Sequence, residues 1–412
     1  IKYDSEEDDE EEYKSIDDFD LSGKKVVLRV DMNSSIDLEK NEIRKDPRIR
    51  AVVPTLEKLS DSAVVLIAHQ SRPGKKDFTS LKLHADKLKE YLGDRVGYVD
   101  DIYGDKAISR IKGLKPGDVL VLDNVRKVEE ENKNGTIEEA ENAPHIKALA
   151  PLFDYYINDA FGAAHRSQPS LVGWPTLICG PLVKKELHMV EKILDPAHPS
   201  VMLVGGAKAK SKFRALKYNL EQGTIDDALV CGLTALSIYV AKGVAVADED
   251  RDLVSKYVDE LKDEIMDALE KFGDHIHLPV DYAVEEDGKR VEYPLEKIPE
   301  INIPVGDIGS KTQEKYAGII RNAKNVVANG PPGIFEKEIF NKGSFTLVKA
   351  MAKATEENDA FTVVGGGEMG TAAEMSGLGD KISRISTGGG ALLSIMSGKK
   401  VPLLKALEEK RP

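Results

Sequence analysis

Cysteine is almost absent from this chain of 412 residues, which contains only Cys179 and Cys231. Both cysteines lie in apolar runs, and they do not have the C-x-x-C spacing of a metal or redox site. A disulfide framework of the kind that stabilises small secreted domains is therefore excluded. The fold must depend on hydrophobic burial, and the length predicts two domains of about 200 residues each rather than one core.

Long apolar runs are missing as well. No stretch approaches the roughly 20 apolar residues that a membrane-spanning helix needs. The opening residues, IKYDSEEDDEEEYKS, lack the basic and apolar regions of a secretory signal. The composition, with 41% hydrophobic and 31% charged residues, is typical of globular proteins. We therefore expect a cytoplasmic protein without a membrane partner.

The chain also lacks an excess of positive charge. Its formal net charge is −13 at pH 7, and residues 1–20 alone carry eleven Asp and Glu against two Lys. Binding of nucleic acid through a basic surface is therefore not expected. Within this acidic N-terminal segment, residues 1–20, we interpret the most acidic stretch, residues 4–12, as a solvated arm, with docking of a partner as the alternative.

Short apolar and β-branched runs alternate with segments of helical periodicity along the chain. In the first half these runs are KKVVLRV, SAVVLIA, DVLVLDN and FDYYIND, and in the second half they are SVMLVGG, DALVCG, NVVANGP, FTVVGGG and ISRISTGGG. Such alternation predicts an α/β fold with mainly parallel sheets.

A helical segment separates the two halves. Residues 180–200, GPLVKKELHMVEKILDPAHPS, carry apolar residues at helical spacing and end in a proline-containing break. We interpret this segment as a helix that joins two α/β domains. A crossover helix within a single sheet is the alternative.

Cationic side chains follow four of the predicted strands in the first half, and Arg48 at the start of a helix could join them. The strand-end residues are Arg29 with Asp31 and Asn33, His69 with Arg72, Asn124 with Arg126, and His165 with Arg166. Parallel α/β sheets bind ligands beyond the carboxyl ends of their strands. Because so many like charges at one edge repel each other unless an anion offsets them, this pattern predicts a site for a small phosphate or carboxylate ligand.

Strands of the second half end in glycine instead, in the stretches VGGAKAKSK, VCGLTA, NGPPGIFE, VGGGEMG and STGGG. Glycine lets backbone N–H groups approach oxygen atoms closely, and the helix N-terminus that follows favours negative charge. Lys208 and Lys212 are four residues apart, so we expect both on one face of a beginning helix. The sequence lacks the Walker pattern GxxxxGK[ST], and we predict a nucleotide phosphate site of another type.

A dinucleotide-binding protein is the alternative raised by one glycine pattern. Gly365, Gly367 and Gly370 form G-x-G-x-x-G between a predicted strand and a predicted helix. That fingerprint also requires an acidic residue at the end of the next strand. The next strand ends in Ser-Thr-Gly, so the pattern disfavours a dehydrogenase.

These motifs, in this order from about Leu21 to the C-terminus, resemble those of the phosphoglycerate kinase family, and of its archaeal members in particular. The stretches that carry the resemblance are RVDMN, DPRIRAVVPTL, AHQSRP, DNVR, NDAFGAAHRS, GGAKAKSK, NGPPGIFE, GGGE and STGGG. The resemblance implies two Rossmann-like parallel-sheet domains joined by a hinge helix. The expected parts are an N-terminal domain at 1–182, a helix at 183–199, a nucleotide-binding domain at 200–395, and a segment at 396–412 that returns to the N-terminal domain.

The resemblance implies a phosphotransferase with a carboxyl group as acceptor. Its ligands would be 3-phosphoglycerate, 1,3-bisphosphoglycerate and ATP or ADP, with Mg²⁺ as cofactor, and the enzyme would be a monomer or a homodimer. The implied substrate-binding residues are Asp31, Asn33, Arg48, His69, Arg72, Arg126, His165 and Arg166. The implied nucleotide-binding residues are Gly206, Lys208, Lys212, Gly232, Asn329, Glu336, Gly365, Gly366, Gly367, Glu368, Gly388, Gly389 and Gly390. Arg48, Lys208 and Lys212 would be catalytic, and Glu368 would hold the metal.

The sequence departs from the family pattern at a few positions. Glu368 and Met369 stand where the family usually has Asp-Thr, which keeps a carboxylate for Mg²⁺ but removes a hydroxyl group. Ser211 replaces an Asp, and Gln168 stands where many members have His. A catalytically silent relative is therefore the alternative, although the implied catalytic residues are all present.

Overall fold

The computed structural model describes residues 13–365 and 367–412, which fold into two compact units. The first unit contains the described residues up to Leu187 together with Lys400–Pro412, and the second contains His188–Lys399. Residues 1–12 of the acidic segment and Gly366 of the implied nucleotide site lie outside the described residues.

Parallel sheets form the centre of each unit. The strands are β1 (Lys25–Arg29), β2 (Ser35–Asp37), β3 (Glu42–Lys45), β4 (Ala63–Ile67), β5 (Val96–Tyr98), β6 (Val119–Val121), β7 (Tyr155–Asn158), β8 (Ile178–Cys179), β9 (Ser200–Val204), β10 (Asp227–Val230), β11 (Ile276–His277), β12 (Asp281–Glu286), β13 (Lys289–Pro294), β14 (Asp307–Ile308), β15 (Asn325–Asn329), β16 (Phe361–Gly365) and β17 (Arg384–Ser386). Every strand predicted from an apolar run is present, which confirms the α/β fold.

Helices follow most of these strands. They are α1 (Pro47–Lys58), α2 (Lys82–Leu92), α3 (Asp105–Lys112), α4 (Ile137–Glu141), α5 (Pro144–Leu149), α6 (Pro169–Val172), α7 (Pro181–Leu194), α8 (Ala209–Gln222), α9 (Gly232–Ala241), α10 (Asp248–Phe272), α11 (Ile298–Ile301), α12 (Ser310–Arg321), α13 (Lys342–Glu357), α14 (Gly367–Met375), α15 (Gly389–Met396) and α16 (Pro402–Glu409). Within the described part of the chain, none of them combines the length and hydrophobicity that crossing a bilayer requires.

The two six-stranded sheets share one design. Their strand orders are β5-β6-β4-β1-β7-β8 and β11-β10-β9-β15-β16-β17, and all pairings within them are parallel. The chain reverses its direction of travel across the sheet between β1 and β7 in the first unit, and between β9 and β15 in the second. Such switch points open a crevice at the carboxyl ends of the strands, where α/β proteins bind ligands.

A small antiparallel sheet in the second unit was not predicted. Strands β13, β12 and β14 form it, and β12 joins β13 through Asp287-Gly288, both with positive φ angles of 51° and 75°. A two-residue Asp-Gly loop is a strong hairpin signal because it adopts the turn that matches the twist of the strands. The sequence stretch EEDGKR therefore held the information that the periodicity analysis missed.

The start of the described chain is part of the first unit. Ser15 forms a β-bridge with Cys179, whose N–H donates to the carbonyl oxygen of Lys14 at 2.9 Å. The side chain of Ile16 is 6% exposed and packs in the core. The acidic N-terminal segment is therefore part of the first unit from about residue 14 onward, whereas residues 4–12, which we interpret as a solvated arm, lie outside the described residues.

The end of the chain also packs on the first unit. Leu403 at the start of α16 donates its N–H to the carbonyl oxygen of Ala164 at 3.2 Å. Lys410 is buried, and its Nζ donates to the carbonyl oxygen of Trp174 at 2.6 Å. The carbonyl oxygen of Lys410 accepts from Leu177 N–H at 2.8 Å, so both the side chain and the backbone of Lys410 are bonded to the first unit.

A buried carboxyl group at the start of α10 makes the stability of the second unit depend on pH. Asp250 is 5% exposed and accepts from Val305 N–H at 3.0 Å. Burial raises the pKa of Asp250 to about 6, and Glu249 adds to the effect. The protonated form is therefore favoured on folding, so this contribution to stability is present below about pH 4 and is lost as the pH rises through about 6.

We expect Asp250→Asn to raise the free energy of unfolding by about 1 kcal/mol at pH 8, since the amide oxygen can still accept from Val305 while the buried charge is removed. The favourable field at the helix N-terminus offsets part of the gain. Thermal unfolding followed by circular dichroism at pH 4 and pH 8 would measure the difference. Asp259→Asn, at an exposed position of the same helix, is the control. A lower midpoint than wild type at pH 8 would contradict the prediction.

Candidate functional site

The carboxyl edge of the first sheet brings a fully buried arginine into contact with a buried histidine. Arg29 ends β1, and its Nη2 lies 3.0 Å from Nδ1 of His69. Because a guanidinium group can only donate, Nδ1 accepts and the ring proton lies on Nε2. Arg29 also donates to Oγ of Ser170 at 2.7 Å and to the carbonyl oxygen of Val30 at 2.6 Å. These contacts make Arg29, grouped above with the anion-binding cations, a support for the edge of the site.

Positive charge acts on His69 from several parts of the chain. Burial lowers the pKa of His69 well below its ordinary value, and nearby cations lower it further. In order of effect, these cations are Arg29, Arg126, Arg166 and Arg48. His69 is therefore a neutral donor at pH 7, in a field created by arginines that are far apart in the sequence.

Hydrogen bonds from its guanidinium group fix Arg126 among these cations. Burial lowers the pKa of Arg126 to about 10, and Arg29 and Arg166 contribute to the shift. Its Nη1 donates to the carbonyl oxygen of Ser71 at 2.6 Å, and its Nη2 lies 3.4 Å from Oε1 of Gln168. The Nε atom is buried without a hydrogen-bond partner in the described structure. Gln168, one of the departures from the family pattern, thus helps to fix Arg126.

A cavity of about 470 Å³ lies beside these arginines. Its lining residues are Arg72, Pro73, Arg126, Glu129, Asn132, Asn134, Arg166 and Gln168. Three arginines face one carboxylate in this lining, so the cavity favours a negatively charged ligand. We call the group formed by Arg48, His69, Arg72, Arg126 and Arg166 the arginine basin.

Arg48 lies at the start of α1 with loose contacts to the loop after β1. Its Nη1 is 3.4 Å from Oδ1 of Asp31 and 3.5 Å from the carbonyl oxygen of Asn33. Asn33 in turn accepts from Ser71 N–H at 2.7 Å, which ties the loops after β1 and β4 together. The side chain of Arg48 is 39% exposed, so it can reach a ligand at the edge of the basin.

Two implied substrate residues lie outside the buried part of the basin. The side chains of Arg72 and His165 are exposed, although Arg72 lines the cavity. Asp159, from the same loop as His165, has another task. Its carboxylate accepts from Thr55 Oγ1 at 2.7 Å and from Leu182 N–H at 2.8 Å in the first turn of α7.

In the second unit, the loops after β9, β10 and β15 lie against one another through their backbones. Gly205 N–H donates to the carbonyl oxygen of Asn329 at 3.0 Å, and Gly206 N–H donates to that of Pro331 at 2.8 Å. A Cβ atom on Gly205 would lie 2.2 Å from Pro331 O, and one on Gly232 would lie 2.5 Å from Gly206 N. Glycine is therefore required at Gly205 and Gly232 by close backbone packing, quite apart from ligand binding.

Lys212 points back into this group of loops. It is 6% exposed, and its Nζ donates to the carbonyl oxygen of Gly205. Burial lowers the pKa of Lys212 to about 8, with a further lowering by Lys208 and an opposite effect of Glu368. Lys208 is exposed and caps α8 with a left-handed φ of 58°, so the prediction that both lysines lie on a helix face is correct only for Lys212.

Two carboxyl groups lie together near Lys212. Burial raises the pKa of Glu368, and the hydrogen bond and like charge of Glu336 raise it further. Glu368 lies in the first turn of α14, where the helix N-terminus also favours its negative charge. Met369 is fully buried in the hydrophobic core of the unit, so this departure from the family pattern adds core packing in place of a hydroxyl group.

The remaining implied nucleotide residues lie at the same edge of the sheet. Gly365 ends β16, Gly367 begins α14, and Gly388 caps α15, whose first residues are Gly389 and Gly390. Asn329, at the end of β15, donates from Nδ2 to the carbonyl oxygen of Gly389 at 3.3 Å. Two helix N-termini and two lysines therefore lie at this edge, an arrangement suited to phosphate groups.

Sequence reasoning missed a buried polar pair behind the basin. Ser170 and Glu131 are both fully buried, and the side chain of Ser170 joins Glu131 to Arg29. The stretch VEEEN gives no sign that one of its three glutamates is buried. Only the fold shows which of them turns inward.

A basin of arginines in one α/β unit and a lysine-bearing glycine edge in another are typical of enzymes that transfer phosphoryl groups. The family model described as "Phosphoglycerate kinase" matches residues 16–399 of the chain. The chain is 41% identical to a phosphoglycerate kinase from Methanococcus maripaludis, over 96% of this chain and 98% of that protein. It is 40% identical to one from Methanosarcina mazei, over 96% of this chain and 95% of the relative.

Solved structures give the same result. A crystal structure of phosphoglycerate kinase from Pyrococcus horikoshii OT3 matches with a TM-score of 0.88 and 37% identity, covering 96% of this chain and 98% of that one. The structure of phosphoglycerate kinase from Coxiella burnetii matches with a TM-score of 0.78 and 30% identity, covering 97% and 100% of the two chains. The chain belongs to the phosphoglycerate kinase family, and it is therefore a kinase.

We expect the imidazole of His69 to remain unprotonated at pH 6.5, where an ordinary histidine is half protonated, because burial and four arginines disfavour its charged form. NMR of the protein with ¹⁵N-labelled histidine would follow the ring nitrogens, with His69→Gln used for assignment. Saturating inorganic sulfate should raise the pKa, since an anion in the basin offsets the arginines. A midpoint near 6.5 without an anion would contradict the prediction.

Proposed function

We propose that this kinase catalyses ADP + 1,3-bisphosphoglycerate ⇌ ATP + 3-phosphoglycerate, in glycolysis and gluconeogenesis in the cytoplasm. The arginine basin around neutral His69 is the observation that carries this proposal. A phosphorylated three-carbon acid has the small size and high negative charge that such a basin selects. Family membership over nearly the whole chain supports the same reaction.

In this proposal the first unit binds the acid. Arg126 and Arg166 neutralise its phosphate group, while Nε2–H of His69 donates a hydrogen bond without adding charge. Asp31 and Asn33 hold the loop that approaches Arg48. Arg72 and His165 form the exposed rim, where they attract the ligand before it is bound.

The second unit binds the nucleotide. Lys208 and Lys212 contact its phosphates, together with backbone N–H groups at the starts of α14 and α15. A nucleotide phosphate beside Lys212 keeps that lysine charged although its pKa is about 8 in the free protein. The edge on which the nucleotide lies is completed by Gly206, Gly232, Asn329 and the glycines on either side of Gly366.

The carboxyl group of Glu368 fits a role in magnesium binding, beside Glu336, which the family resemblance assigns to the nucleotide. Burial raises the pKa of Glu368, the hydrogen bond and like charge of Glu336 raise it further, and a divalent cation would relieve the repulsion. Mg²⁺ prefers hard oxygen ligands and is commonly held by one or two carboxylates together with nucleotide phosphates. When bound, it would neutralise charge on the phosphates. Among the described residues no three His, Cys, Asp or Glu side chains form a metal cluster, so the nucleotide would supply part of the coordination.

The reaction needs no general base. The group of 3-phosphoglycerate that accepts the phosphoryl group is a carboxylate. With an ordinary pKa near 4, it is already ionised at pH 7. A carboxylate oxygen forms the new bond to the γ-phosphorus as the bond to the leaving ADP oxygen breaks. Arg48 and Lys212 would neutralise charge that develops during the transfer, so catalysis would depend on positioning and electrostatics. That α7 acts as a hinge between the two units remains a prediction from the family resemblance.

A coupled assay of ATP-dependent phosphorylation of 3-phosphoglycerate, with and without Mg²⁺, tests the proposed function. We expect turnover that requires Mg²⁺ and is absent when glycerate replaces 3-phosphoglycerate. If calorimetry shows that both ligands bind while no turnover occurs, the protein is a catalytically silent relative.

Replacing Arg48 with alanine should reduce turnover by roughly 10³-fold or more, because the arginine that stabilises the transferring group is lost. The dissociation constants of 3-phosphoglycerate and ADP should change by less than about tenfold, since other side chains bind the ground states. Arg50→Ala, at an exposed position on the same helix, is the control. Turnover within about threefold of wild type would remove Arg48 from the catalytic role.

A further inference from the structure

A glutamate, Glu131, lies fully buried behind the arginine basin. Glu131 accepts from Ser170 N–H at 3.1 and 3.0 Å through its two carboxylate oxygens, and also from Ser170 Oγ. It accepts a further bond from Nε2 of His145 at 2.8 Å. These hydrogen bonds to the carboxylate come from two fully buried residues.

Hydrogen bonds through Ser170 link this carboxylate to Arg29, and through Arg29 to His69 in the arginine basin. The Ser170 hydroxyl donates its hydrogen bond to Glu131, so its oxygen is free to accept from Nε of Arg29, which lies at 2.7 Å. Arg29 then donates from Nη2 to Nδ1 of His69 at 3.0 Å. This chain fixes the His69 tautomer with the proton on Nε2.

Charge alone would make Glu131 unfavourable at this position. A carboxylate close to an anion site repels the ligand, and a buried charge is costly unless it is compensated. Its compensation comes from the two buried arginines, since Glu131 raises the pKa values of both Arg29 and Arg126 against the effect of burial. For Arg29 it is the strongest of the charged neighbours.

We infer that Glu131 is a positioning residue for the acid site, which acts through Ser170 and Arg29 to hold His69 in the tautomer that donates to the ligand. The inference rests on the proposed function, in which His69 contacts the acid. It assigns a role to a carboxylate that touches neither the ligand nor the reacting atoms.

The variant Glu131→Gln separates positioning from charge. Removing a negative charge would tighten anion binding if electrostatics alone mattered. The amide, however, keeps only one acceptor oxygen, so either Ser170 loses an acceptor or the ring of His145 must change tautomer to accept from the NH₂ group, and the chain from Ser170 to His69 is disturbed. We expect KM for 3-phosphoglycerate to rise by about tenfold, with KM for ATP unchanged. Calorimetry with 3-phosphoglycerate alone should show the same loss of affinity.

A second variant keeps the charge and removes only the link. Ser170→Ala deletes the hydroxyl between Glu131 and Arg29 with little change in volume, and should raise KM for 3-phosphoglycerate in the same direction. Because both variants break one chain, the double variant should lose little more than the worse single variant. Glu130→Gln, at the neighbouring position in the sequence, is the control and should leave KM unchanged.

NMR of ¹⁵N-labelled histidine gives a readout that a general loss of stability would not produce. In the wild type the His69 signals should be those of the Nε2–H tautomer alone, and in Ser170→Ala a second tautomer should appear. Unchanged tautomer and KM in both variants, or tighter binding in Glu131→Gln, would overturn the inference. If the wild type itself neither binds nor phosphorylates 3-phosphoglycerate, the proposed function fails instead.

Discussion

The parallel register of β1 is the constraint on which the acid site depends. Arg29 pairs with Ile67 of β4 and with Asn158 of β7, so the residues just beyond these partners emerge at one edge. His69 follows Ile67 by two residues and therefore meets the guanidinium group of Arg29. A shift of one residue in this register would turn Arg29 to the other face of the sheet and separate the pair. The positions of the charges are thus set by backbone pairing before any ligand is bound.

The two units offer different means of attracting an anion. The first concentrates side-chain charge in a buried place, and burial together with this repulsion lowers the pKa values of His69 and Arg126. The second relies on backbone N–H groups and helix N-termini, and the packing of its loops leaves no room for side chains at Gly205 and Gly232. Charge suits a small ligand that must be enclosed, whereas backbone contacts suit the extended phosphate chain of a nucleotide.

Much of this arrangement could be predicted because strand ends in a parallel sheet share an edge. That rule alone brought Arg126, His69 and Arg166 together from the sequence. The rule could not show that Arg29 hydrogen-bonds to other protein groups rather than to a ligand. That role depends on Ser170, which is 141 residues away in the chain. Nor could spacing show that Lys208 precedes its helix, because the left-handed turn after Gly206 is a property of the packed loops. The hairpin between β12 and β13 could have been predicted, because an Asp-Gly pair is a strong signal for a two-residue turn.

The contact between Lys212 and the carbonyl oxygen of Gly205 has a consequence for the energetics of nucleotide binding. An exposed lysine must shed its ordered water when a phosphate arrives, and its flexible side chain must be immobilised. Lys212 is already dehydrated and fixed when the protein folds, so both losses are incurred before the ligand comes. For the nucleotide site proposed above, Lys212 is thus preorganised, and its attraction to a phosphate group would be offset less by these losses.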